Sequence, residues 1–266
     1  MRKYPSDYSD YQTLKIEKSD GIAVVTLNRP PNNLVSLRMH TELTDIPRDL
    51  NHDDDVRAII FKAEGRHFAS GGEFEMFDAM KDQKRNQLLY DEVREHIWNM
   101  LDLDKPTISI VQGQAAGMGC QHALLCDMCF AEEEKGRFVD GHMFMGVPPG
   151  DGGALVWPML IGVMRAKRYL FTSDPCPAKE AERIGLITGA LPADKLMPTA
   201  MEWATRFANG PTHALKGAKA ILNQWYRIAA PAVFHYAQAL QMGASGKAEF
   251  DESVSALKEK RKPKYR

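Results

Sequence analysis

His142 and Asp151 stand nine residues apart, and they are the side chains in this sequence best suited to moving a proton. Pro148-Pro149-Gly150 lies between them and can fold the chain back, setting the carboxylate against the imidazole. A carboxylate on one ring nitrogen fixes the tautomer and raises the basicity of the other, so such a pair can take a proton from water. Asp151 also precedes Gly152-Gly153-Ala154, where it could cap a helix instead of, or as well as, serving His142. His40 has Leu37 and Leu43 three residues to either side, at the edge of the buried face of a predicted helix. His122 sits in a run of small and apolar residues, where core packing competes with a role in chemistry. Phe144 and Trp157 are read as packing or cavity-lining residues. Glu92 and Glu95 reach a cleft only for one rotation of the helix that carries them.

Two glycine turns offer a second kind of chemistry. Ser70-Gly71-Gly72 and Gly117-Met118-Gly119 each follow an apolar segment that reads as a buried strand. Backbone N–H groups at a turn entering a helix point outward with partial positive charge, and glycine lets an oxygen approach them. If the two strands are neighbours, each turn can lend one N–H to a single oxyanion; the alternative is a pair of tight connections. Neither turn continues into Gly-Lys-Ser/Thr or completes G-x-G-x-x-G. No pair of His or carboxylate residues has ligand spacing with a clear third partner, so no metal site is expected. Cys126 and Cys129 form an isolated C-x-x-C, read as buried thiols.

The elements that must position these groups alternate. Leu14–Ile16 and Ile22–Leu27 flank Lys18-Ser19-Asp20-Gly21 as a hairpin, after a loosely held arm at 1–12. Ser36 caps a helix facing inward through Leu37, Leu43, Ile46 and Leu50. Strands are predicted at 56–61, 107–111 and 128–131, and a long helix at 83–103. Glycine turns between short strands and helices are the pattern of parallel β-α units. Beyond residue 190 the prediction is helical, over 193–208, 212–228 and 230–246. The fold class is therefore α/β: a core over 1–192 and a helical region over 193–266.

In 266 residues, Lys plus Arg is 34 and Asp plus Glu is 35, a formal net charge of −1. A balanced surface has no long-range field to attract a polyanion, which argues against nucleic-acid binding. No stretch approaches the ~20 apolar residues that span a bilayer, and no leader pattern follows the first Met. Four cysteines make no disulfide framework. A cytoplasmic protein is expected.

The order of motifs resembles the crotonase (enoyl-CoA hydratase/isomerase) superfamily. The resemblance is carried by Ile22–Pro30, His67–Gly72, Lys105–Gly113, Ala116–Cys120, Gly146–Gly150 and the tail Lys258–Tyr265, and it covers roughly 13–266. It implies a spiral of ββα turns, a helical trimerisation region that assembles a homotrimer or a hexamer, and an oxyanion hole made by the N–H groups of Gly72 and Met118. Hydratases of the family carry two glutamates that handle water and proton. Here Gln121 and His142 occupy those positions, and a Gln amide exchanges no proton near neutral pH.

Within the superfamily, Asp140–Pro158 and Leu34–Leu43 resemble 6-oxocamphor hydrolase and related β-diketone hydrolases. That resemblance implies retro-Claisen cleavage of a small 1,3-dicarbonyl compound without a cofactor, with His142, Asp151 and His40 at polar active-site positions. Their further histidine falls at Met118, with His122 four residues on, and their C-terminal glutamate has only Gln238 nearby. The expected mechanism has Asp151 orienting His142, His142 activating water, and His40 or His122 returning a proton. The alternative keeps a CoA thioester as substrate, with Arg66 and the basic residues Lys258, Lys260, Arg261, Lys262 and Lys264 meeting its phosphates. A non-catalytic binding or scaffolding member is a third reading, opposed by the retained glycine turns.

Overall fold

The computed structural model describes residues 7–265. The chain opens with β1 (Leu14–Ser19), β2 (Ile22–Leu27), α1 (Leu37–Asn51), β3 (Ala58–Ala63), β4 (Ala69–Ser70), α2 (Phe74–Ala79) and α3 (Gln83–Asp102). It continues through β5 (Thr107–Val111), β6 (Gln114–Ala116), α4 (Met118–Leu124), β7 (Met128–Glu132), β8 (Arg137–Val139), α5 (Gly153–Ile161) and α6 (Val163–Thr172). After β9 (Cys176–Pro177), α7 (Ala178–Ile184) and β10 (Gly189–Leu191), it ends in α8 (Ala193–Ala208), α9 (Thr212–Leu222), α10 (Gln224–Ala244) and α11 (Ala248–Lys258). A six-stranded sheet has the order β1-β2-β3-β5-β7-β10, and a four-stranded sheet the order β4-β6-β8-β9. After the β1-β2 hairpin, the pairs β3-β4, β5-β6 and β7-β8 each give one strand to the first sheet and the next to the second before a helix or turn. This is the ββα spiral of the crotonase fold, and it makes β4 and β6 parallel neighbours.

The central strands β2, β3, β5 and β7 of the large sheet are covered on both faces, which is why they are mostly apolar, while the edge strand β1 alternates. In β3, Ile59 and Phe61 enter the main core, while Ala58 and Ile60 enter a second cluster closed by Leu196, Ala200, Ala204 and Ala208 of α8. The four-residue spacing of those α8 side chains is one stripe of a helix. Ser36 caps α1 by accepting from Met39 N–H at 3.2 Å. Helix α1 then packs along α3, and the two form one wall of the site.

Several boundaries differ from expectation. The third strand begins at Ala58 rather than Val56, because Arg57 N–H and Ala58 N–H are both taken by the carbonyl of Gly21 at the hairpin turn. Pro231 does not divide two helices but lies inside α10, whose Ala230 and Phe234 are packed in the core. The break falls at Asn223, where the side-chain amide donates to Leu101 O at 3.0 Å. Of the arm at 1–12, residues 1–6 lie outside the described residues. The remainder is pinned: the Tyr8 hydroxyl donates to Asp53 at 2.7 Å and Tyr11 to Asp49 at 2.8 Å. Cys126 and Cys129 are free buried thiols, and burial pushes the Cys129 thiol up to about 12. Among the described residues, no helix is long and apolar enough to cross a membrane.

Candidate active site

A cavity of about 480 Å³ opens beside the ends of β4 and β6, with both glycine turns in its wall. At the first turn, Val35 N–H donates to Gly71 O and Glu73 N–H to Val35 O, which leaves the N–H of Gly72 outside the bridge. At the second, Met118 is the first residue of α4, so its N–H has no partner within the helix. Gly72 and Met118 both line the cavity. The turns are held together by a close approach: a Cβ on Gly119 would lie 2.3 Å from the Cβ of Ala69. Gly71 (φ +102) and Gly117 (φ +53) adopt conformations that L side chains rarely take.

Beside the second turn, where Asp151 Oδ2 would lie 3.9 Å from a Cβ on Gly117, a buried chain of three ionisable groups reaches the cavity through His142 and Asp151. Asp140 Oδ1 is 2.7 Å from His142 Nδ1, and His142 Nε2 is 3.4 Å from Asp151 Oδ1. The other oxygen of Asp140 accepts from the Gln121 amide at 3.1 Å. Asp140 is therefore the residue that orients the ring, and Asp151 faces the nitrogen that is left. This corrects the expectation that Asp151 orients His142. The capping position of α5 is Gly152, but the Asp151 carboxylate accepts from the N–H of Gly153, the first residue of that helix, so it serves the helix start as well as facing His142. Burial favours the neutral imidazole, but the carboxylates of Asp140 and Asp151 outweigh it and raise His142 to about 9. Burial raises Asp151 to about 6 against the pull of the His142 charge. The two titrate as a pair sharing a proton between those limits.

The remaining site expectations divide. His40 lines the cavity, and its Nδ1 is 2.5 Å from Glu92 Oε2. Glu92 thus faces His40 from α3 without itself lining the cavity. Phe144 lines the cavity and is half-exposed. His122 does not belong there. It is fully buried, edge-on to Phe61 at 4.4 Å and stacked on His96 at 5.1 Å, and neither ring nitrogen has a hydrogen-bond partner. Burial holds its pKa well below the ordinary histidine range, so it is a neutral core ring. Trp157 is likewise a core residue: it is fully buried against Tyr169 and is not part of the cavity wall. Gln238 donates to Tyr90 O at 2.6 Å, a tie between α10 and α3.

Asp140, His142 and Asp151 place one ligand atom each within 4.8 Å of one another, a grouping that their sequence spacing did not suggest. Asp140 already bonds Gln121 and His142 Nδ1, so its donor set fits proton sharing better than metal coordination. Asp140 and Gln121 escaped the sequence reading as an orienting pair, because they lie on different units of the spiral. Of the basic groups, Lys258 pairs with Asp78 at 3.3 Å. Arg261 lies in the cavity wall, held by Glu252 and Glu259. Arg66 donates to Asn32 at 3.0 Å and is not in that wall.

The family model described as enoyl-CoA hydratase/isomerase matches residues 17–266. The chain belongs to the enoyl-CoA hydratase/isomerase family. A probable enoyl-CoA hydratase of Mycobacterium bovis is 28% identical over 256 residues, covering 96% of this chain and 98% of that protein. Among solved structures, an enoyl-CoA hydratase/isomerase from Mycobacterium paratuberculosis superposes with a TM-score of 0.87 at 27% identity, covering 92% of this chain and 98% of the other. A β-diketone hydrolase from the cyanobacterium Anabaena, bound to (S)-3-oxocyclohexyl acetic acid, gives a TM-score of 0.85 at 26% identity, with coverages of 91% and 97%. The scaffold is thus that of a crotonase-superfamily enzyme, and solved structures with both kinds of name share its fold.

Proposed function

We propose that this enoyl-CoA hydratase/isomerase family member is a hydrolase that cleaves the C–C bond between the two carbonyls of a small 1,3-dicarbonyl compound. The observation that carries the reading is the buried Asp140–His142–Asp151 chain, set where hydratases would use glutamates, with Gln121 turned away from the cavity onto Asp140. Between about pH 6 and pH 9 the His142–Asp151 pair holds one proton and can accept a second from water. The hydroxide oxygen bonds to one carbonyl carbon. The tetrahedral intermediate then collapses, the bond between that carbon and the α-carbon breaks, and its electron pair leaves as an enolate. The N–H groups of Gly72 and Met118 hold the enolate oxygen, an interaction worth about 3–4 kcal/mol per donor in such sites. A carboxylic acid and, once the enolate is protonated on carbon, a ketone are released. The chemistry requires no cofactor. Assembly as a homotrimer or hexamer is part of the same reading.

The names of the relatives favour a second reading, in which the substrate is an acyl-CoA thioester. The M. bovis relative and the 2,3-dehydroadipyl-CoA hydratase of Escherichia coli, 27% identical over 259 residues, are both named as CoA enzymes. By name the relatives weigh toward this reading; the proton-handling groups weigh toward the first. Assaying purified protein against cyclic and acyclic 1,3-diketones, with crotonyl-CoA alongside, separates them. Loss of diketone absorbance with release of a keto acid is expected. Hydration of crotonyl-CoA without diketone turnover would replace the first reading by the second.

A further inference from the structure

Where α3 meets α10, the cavity wall is apolar through Leu89 and Val93 but carries two side-chain amides. Asn86 of α3 and Gln241 of α10 are 5% and 6% exposed, and both line the cavity. Asn86 Oδ1 and Gln241 Oε1 are buried with no hydrogen-bond partner, and among the described residues no group of the chain takes either amide nitrogen. The neighbouring Tyr90 hydroxyl, by contrast, meets Ser245 Oγ at 3.3 Å. Burying an amide unpaired costs free energy, so each calls for a partner that the folded chain does not supply.

Packing sets where the amides point. A Cβ on Gly150 would lie 2.4 Å from Gln241 Oε1, so that oxygen is seated against the backbone before Asp151 and the NH₂ is the end left for the cavity. Helices α3 and α10 run antiparallel: Asn223 donates to Leu101 O at one end, and Gln238 to Tyr90 O toward the other. Ile97 packs at Gly152, so α3 leads away from Asp151 as it runs back through Tyr90 to Asn86. The cations of the wall are all engaged: His40 by Glu92, His142 by Asp140, and Arg261 by Glu252 and Glu259. An anionic substituent would therefore find no free counter-charge there, and Asp151 close by. We propose that Asn86 and Gln241 form a subsite for an uncharged oxygen, a hydroxyl or a further carbonyl, that the substrate carries beyond its two reacting carbonyls. The inference rests on the proposed reading for those two carbonyls, one of which meets the N–H groups of Gly72 and Met118 and the other the His142–Asp151 pair. The amide N–H groups donate to the additional oxygen.

The test compares heptane-2,4-dione with 6-hydroxyheptane-2,4-dione and heptane-2,4,6-trione, which differ from it only at the sixth carbon. Dissociation constants are read by NMR titration in D151N, which keeps the cavity but lacks the proton pair, and again in D151N/Q241M and D151N/N86L, with folding checked by circular dichroism. At least one of the two oxygenated probes should bind about 10-fold more tightly than the plain dione, the effect of gaining a neutral hydrogen bond. Q241M, N86L or both should remove most of that preference. Met and Leu nearly match the side chains they replace, so a role in packing alone would shift all the probes alike. Equal binding of the probes, no binding of any of them, or a preference kept in both double variants overturns the proposal. A loss of affinity common to all the probes overturns it too, because it would put the amides on the reacting carbonyls. If N86L fails to fold, Q241M decides alone. A preference that depends on these amides, with no cleavage of any probe by wild type, leaves the subsite standing and removes the hydrolase reading instead.

Discussion

Asp140 Oδ1 lies 2.7 Å from Nδ1 of His142, and that bond leaves Nε2 as the ring nitrogen facing Asp151. Gln121 holds the other Asp140 oxygen, so the orienting carboxylate has a partner on each side. Replacing Asp140 by Asn keeps the shape but removes the charge that helps hold the imidazolium. We expect D140N to lower kcat by about 10²- to 10⁴-fold, the range for losing a general-base arrangement. The His142 pKa should fall in the same variant, measurable from its ring proton shifts by NMR. Wild-type turnover in D140N would show that the bond is structural only.

The shared proton sets a pH limit for activity. Asp151, raised to about 6, takes up the pair's second proton as pH falls, and the pair then has nowhere to put a proton from water. His142, raised to about 9, loses the shared proton as pH rises through that value. kcat/KM should therefore fall on an acid limb near 6, whereas loss of the shared proton near 9 leaves a pair that still accepts a proton from water and brings no matching fall. Stability has its own sign. Both pKa values are raised on folding, so the native chain binds more protons than the unfolded one from the ordinary Asp value up to about 6, and again from the ordinary His value up to about 9. The stabilisation from His142 is complete below its unfolded pKa of about 6.5 and is gone above about 9. Thermal melts of wild type and H142Q over pH 6 to 10 should differ by that loss, and parallel curves would contradict it.

Restoring a glutamate at Gln121 should not restore hydration. The side chain faces Asp140, and a Cβ at Gly153 would lie 2.0 Å from Asp140 Oδ2, so the surroundings leave little room to turn it. Q121E removes a donor and puts a second carboxylate beside a buried one, where only one readily ionises. A lower melting temperature, diketone turnover reduced at least about 10-fold, and no hydration of crotonyl-CoA are expected. Hydration by Q121E would mean that residue 121 can reach the cavity.

His122 tests the opposite case. Two unpartnered nitrogens in the core cost free energy that an apolar ring would not. H122F should leave kcat/KM within about 2-fold and stabilise the fold by about 1–2 kcal/mol, provided the larger ring is accommodated against Phe61 and His96. Urea unfolding and a turnover assay on the same preparation decide it, and a loss of activity beyond about 10-fold in a folded variant would return His122 to the site.

Much of this was legible before any coordinates. The alternation of short strands, glycine turns and helices pointed to parallel β-α units, the family resemblance implied the ββα spiral, and the two glycine turns announced backbone donors. The pair His142 and Asp151 was visible because a proline-glycine turn separates them. Asp140 was not, since next to Gly141 it reads as a turn residue, and only the absent Cβ of Gly153 makes room for it. Glu92 depended on helix rotation, which periodicity alone leaves open. His122 and Trp157 are ambiguous types: each suits a core or a cavity, and only the packing around them decides.

The two oxyanion turns should be breakable and repairable from behind. A Cβ added at Gly119 would meet the Ala69 Cβ at 2.3 Å, while the next contact, Ala69 Cα, is an ordinary 3.6 Å. G119A must therefore push the start of helix α4, which opens with Met118, away from strand β4, which leads into Gly72. Overpacking of this kind costs about 1–3 kcal/mol, and a displaced donor costs about 10²- to 10³-fold in kcat. Removing the opposing methyl with A69G takes away the clash without touching the cavity. The double variant G119A/A69G should thus regain most of the activity that G119A loses, with A69G alone close to wild type. A double variant no better than G119A would show that the spacing of the turns is set elsewhere, and full activity in G119A alone would show that Gly72 and Met118 need not be held at that distance.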